Sequence, residues 1–166
     1  DSLCDAMLKL ARLEELAADE VAGRLVGPEL LGEALVEVCC KAHFLADDYM
    51  PLVQALALMD QDSRVRPFRD MGHGFAAGFA QSGAASDPQS VVGSDCGDPF
   101  HPPLGQRLQA LGVPPQPLAQ VPVTAAEHYF ACLLPALAWT FDRIWWDQVR
   151  ERCYPMLTAP ADLQGA

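Results

Sequence analysis

Basic residues are scarce in this chain of 166 residues: 11 Lys and Arg stand against 22 Asp and Glu, a formal net charge of −11. Nucleic acid and anionic lipid surfaces are bound through clustered Lys and Arg, so neither is expected as a partner. Long apolar runs are missing too. The longest uncharged stretch in a helical pattern, Tyr129 to Phe141, is interrupted by Pro135 and falls well short of the roughly 20 residues of a membrane span. The six cysteines (Cys4, Cys39, Cys40, Cys96, Cys132 and Cys153) form no C-x-x-C pair, and are expected reduced and intracellular. No G-x-S-x-G elbow surrounds Ser86, Ser90 or Ser94, which removes the nucleophilic serine of that type. The glycines from Gly72 to Gly78 follow no strand pattern and have no lysine, so they are not a phosphate loop. No stretch sustains the alternation of a half-buried strand.

What is present is apolar matter in helical rhythm. Apolar residues make up 51% of the chain, enough to drive folding, and the length suits one domain. The chain opens Asp-Ser without a methionine or a signal-peptide pattern, and reads as a piece of a longer or processed protein.

Leu3, Met7, Leu10, Leu13 and Ala17 recur every three or four residues and predict a first helix to about Arg24, with Ser2 and Asp5 as its capping box. Gly27 and Pro28 mark a stop and a restart. Leu30, Leu31, Ala34, Leu35, Val38, Ala42 and Leu45 stripe a second helix, and Pro51 should kink or break it near Asp47 to Met50 before a short continuation to Met59. Residues 60–67 read as a polar turn. From Phe68 to Gln81 the pattern is helical but carries three glycines, so that element is weak or packed tightly against a neighbour. Residues 82–102 are expected as a mobile loop rich in Ser, Gly, Asp and Pro. A short helix from Leu104 to Leu111 should end at Gly112. Residues 113–123 form a Pro-rich connector. Thr124 and Glu127 then cap a long last helix to about Cys153, with Phe130, Leu133, Leu134, Leu137, Phe141, Ile144 and Trp145 on its buried face. The predicted fold is all-α, a compact array of five or six helices.

Arg12, Glu15 and Asp19 fall on one face of the first helix. Two carboxylates a turn apart repel by a few tenths of a kcal/mol unless a cation or donor stands between them. Such a pair can hand one carboxylate to a metal and keep the other as its support, or it can be a solvated face with Arg12 as local partner. The histidines add no ligand pair at H-x-x-x-H spacing. His43 reads as a core or boundary histidine. His73, between two glycines, is a possible additional site, while His101 caps or packs at a helix start and His128 lies on the surface. Trp139, Trp145 and Trp146 read as packing residues.

The stretch from Arg12 to Asp19, R-L-E-E-L-A-A-D, resembles the third-ligand motif of zinc metallopeptidases of the HtpX and CAAX-prenyl-protease type, Arg-x-x-Glu-x-x-Ala-Asp on a helix. Leu25 onward (L-V-G-P-E-L-L-G-E-A-L-V), R-P-F-R-D-M-G-H-G-F, H-P-P-L-G-Q-R-L-Q-A-L-G from His101, and the closing helix resemble later segments of a bacterial branch of that family. The similarity runs from about Leu10 to Cys153. It implies a zinc-dependent endopeptidase in which two histidines of an H-E-x-x-H helix and a later glutamate hold the metal, the glutamate of H-E-x-x-H serving as general base. Glu15 would be the later ligand, with Asp19 supporting it and Arg12 helping to hold the carboxylates. The chain itself contains no H-E-x-x-H. The resemblance therefore implies a C-terminal helical portion that meets an upstream H-E-x-x-H domain of the same protein and a peptide or unfolded-protein substrate. Such a portion has no catalytic residue of its own, is inactive alone, and shares zinc only within its parent. A cytoplasmic location, or the cytoplasmic face of a membrane, goes with that reading. The alternative is a non-catalytic helical interaction module that keeps the fold without the chemistry.

Overall fold

The computed structural model describes residues 2–59, 65–81, 92–93, 100–116 and 123–153. The chain is all-α, and among these residues there is no strand. The helices are α1 (Ser2–Val26), α2 (Pro28–His43), α3 (Met50–Met59), α4 (Met71–Gln81), α5 (Leu104–Leu111), α6 (Ala125–Phe130) and α7 (Leu134–Cys153), with a π-helical stretch Phe44–Tyr49 between α2 and α3. Most of the loop expected over 82–102 and of the connector over 113–123 lies outside the described residues, as does most of the predicted turn at 60–67. No described helix is long and apolar enough to cross a membrane.

The chain divides into two compact units. The first comprises 1–49 and 75–120, the second 50–74 and 121–166.

In the first unit α1, α2 and α5 pack on one another. Its core is Val36, Cys39 and Cys40 of α2 with Leu104 and Leu108 of α5, backed by Leu35, Val92 and Val113. The apolar stripe predicted for α1 does not face this core. Leu3, Met7, Leu10 and Leu13 are 57–74% exposed, and the side turned inward carries Asp19 and Gly23. What α1 buries is a charge and its partner, described below, and this turns its most regular apolar row outward. Gly27, at φ 95°, makes the turn from α1 to α2, with Pro28 in the first turn of α2.

The break predicted near Asp47 to Met50 takes the form of the π-helical turn, which passes the chain on to α3 with Pro51 in its first turn. Phe44 and Tyr49 of that turn are buried and meet Phe75 at ring-centroid distances of 5.1 and 6.2 Å. Gly78 lies so close to the Phe44 ring that any Cβ there would collide with it. One of the three glycines of α4 is thus the tight contact that the sequence suggested. Gly72, by contrast, faces open space.

In the second unit α7 is tied to the segment 65–68. The buried Asp142 accepts the Phe68 N–H at 2.8 Å, and Trp146 Nε1 donates to the Val65 carbonyl at 2.9 Å. Phe68 also lies against Phe141, centroids 5.4 Å apart. The single last helix of the sequence reading is divided in two. Thr124 and Glu127 form the expected capping box at α6, but the chain turns at 131–133 before α7. Pro135 explains the division, since it offers no N–H and its ring crowds the carbonyl four residues back. The buried face agrees with the expected one at Trp145 and otherwise differs: Trp146 and Asp142 are buried with it, whereas Phe130, Leu133, Leu137, Phe141 and Ile144 stay 45–53% exposed.

Candidate functional site

Glu15 and Asp19 stand one turn apart on α1, and α5 supplies the cation between them. Arg107 Nε and Nη2 donate to the two Asp19 oxygens, both at 2.7 Å, and Arg107 Nη1 lies 2.7 Å from Glu15 Oε1. One planar guanidinium therefore serves both carboxylates, a geometry that a lysine cannot reproduce. Asp19 is 5% exposed, so its charge sits where an absent partner would be costly. Glu15 keeps its other oxygen toward His101, whose Nδ1 is 2.6 Å from Oε2.

Local sequence explains why α5 delivers these two residues. Leu104 and Leu108 anchor α5 in the core, and Arg107, one turn from Leu104, shares their face toward α1. Pro102 and Pro103 bar the helix from starting earlier. The residue before a proline is driven to extended backbone, and His101 is that residue. Its imidazole is thus held outside the helix, alongside Glu15. At the far end Gly112 takes the left-handed conformation (φ 71°), and its N–H closes α5 on Gln109 O at 3.1 Å. A shallow groove of about 260 Å³, lined by Leu16, Ala17, Glu20, Ala110 and Leu111 with Asp19, runs beside the ion pairs.

The predicted site residues are distributed as follows. Glu15 and Asp19 come together in one cluster, and Arg12 lies partly buried on the same helix. The guanidinium that bridges the two carboxylates is that of Arg107, which sequence reasoning did not single out. His101 was expected to cap or pack and instead contacts Glu15, 86 positions away. Both residues belong to the segment H-P-P-L-G-Q-R-L, so the signal was present, but only as a pattern without a spatial partner. His73 is exposed on α4, in the second unit. Nearby, Arg69 forks onto Asp70 at 2.7 and 2.9 Å and holds that carboxyl below the usual range, with a smaller pull from His73. His43 is a boundary histidine, its Nδ1 2.9 Å from the Cys39 carbonyl oxygen.

Chemically the cluster is a carboxylate of fixed orientation. One of its oxygens faces a guanidinium, and the other faces the His101 imidazole. Among the described residues no group of three or more His, Cys, Asp or Glu side chains is placed to hold a metal ion. The metal-donor side chains that meet in this cluster are Glu15 and His101. Family models, curated proteins and solved structures were all compared with this chain, and none of them matches it.

Proposed function

We propose that this chain is the C-terminal helical portion of a zinc-dependent endopeptidase, in which Glu15 is the third metal ligand and α1 and α5 form part of the wall of the substrate cleft. The observation that carries this reading is the convergence of two distant segments on one carboxylate. The helix motif that holds Glu15 and Asp19 meets the later segment that holds His101 and Arg107, across 86 to 88 positions of chain. A metal ligand needs a carboxylate that is oriented and backed from outside the ligand set. Arg107 does both for Glu15, and Asp19 locks Arg107 in turn. Glu15 would hold the metal through its carboxylate, which Arg107 keeps in place. Bound zinc supplies Lewis acidity to peptide-bond hydrolysis. The reading places the two histidine ligands and the general base in an upstream H-E-x-x-H segment, and predicts that the chain without it is inactive.

The test compares this chain with the chain extended upstream to its natural start. The extended protein is expected to bind about one zinc and to cleave an unfolded protein substrate. Glu15→Gln should abolish the cleavage and lower zinc affinity by 10-fold or more, while Asp19→Asn should weaken both by about 10- to 100-fold. An extended protein that binds no zinc and cleaves nothing would leave the alternative, a helical interaction module without the chemistry.

A further inference from the structure

We draw no further inference here: the strongest candidate, the shallow groove between α1 and α5 lined by Leu16, Ala17, Ala110 and Leu111, has its two acidic lining residues, Asp19 and Glu20, already paired with Arg107 and Arg24, and nothing in the structure shows what fills it.

Discussion

Arg107 is the residue on which the candidate site depends. Its side chain is 20% exposed and spans two carboxylates, one of which, Asp19, is 6% exposed at the side chain. Arg107→Ala would leave Asp19 charged and unpaired in a setting that water barely reaches. The expected loss is on the order of 3 kcal/mol of unfolding free energy, read from urea denaturation monitored by circular dichroism. Arg107→Lys should recover only part of it, because an ammonium cannot fork onto Asp19 while holding Glu15. A change under 0.5 kcal/mol for Arg107→Ala would mean that the two carboxylates are solvated rather than held. The residue types at this site were legible from the start: a Glu and an Asp at helical spacing need a cation between them. The cation itself was not. Arg12 satisfies the spacing rule from the same helix, whereas Arg107 reaches the carboxylates only because α5 packs on α1.

Among the elements, α7 is where pattern and packing part company. Its apolar residues cover more than one face, and periodicity alone cannot say which of them will be buried. The choice is made by polar anchoring. The Phe68 N–H and the Val65 carbonyl belong to a segment without regular hydrogen bonding, and Asp142 and Trp146 satisfy them. Asp142→Ala would leave the partly buried Phe68 N–H unpaired and should cost about 1–3 kcal/mol in the same denaturation measurement. Asp142→Asn, which keeps an accepting oxygen, should cost less. Equal losses for the two variants would show that the Asp142 charge, not its hydrogen bond, holds the segment. The division of α6 from α7 was foreseeable from Pro135, since a proline that removes a donor and crowds the preceding turn rarely passes through a helix unmarked. The capping box at Thr124 and the glycine stop at Gly112 are local devices, and both stand where the sequence put them.

For the whole molecule, acidity governs the response to pH. The Thr124 backbone N–H and then its hydroxyl hold the Glu127 carboxyl below its usual range, and the fork from Arg69 does the same for Asp70. A carboxylate more acidic in the folded chain than in the unfolded one stabilises the fold above its unfolded pKa. That contribution is lost as pH falls through the folded value. Thermal stability is therefore expected to decline as pH drops below about 4.5, the ordinary Glu value. Scanning calorimetry of the parent and of a Glu127→Gln, Asp70→Asn double variant checks this: the variant should lose stability less steeply across that range. Identical slopes would show that the acid sensitivity arises elsewhere among the 22 acidic residues.

Sequence alone determined what depends on neighbours along the chain. Helical class follows from apolar recurrence at three and four residues, and helix ends follow from Gly, Pro and a Thr–Glu box, because these act through backbone groups within one turn. It also placed Glu15 and Asp19 on a shared face. Tertiary structure decided which cation answers them, which imidazole faces Glu15, and which apolar rows of α1 and α7 are covered. Those outcomes rest on contacts between residues some 75 to 90 positions apart. A row of leucines can be buried by any element that reaches it. A buried carboxylate accepts only a partner whose charge and geometry match, and it is such a partner that turned α1 to face α5.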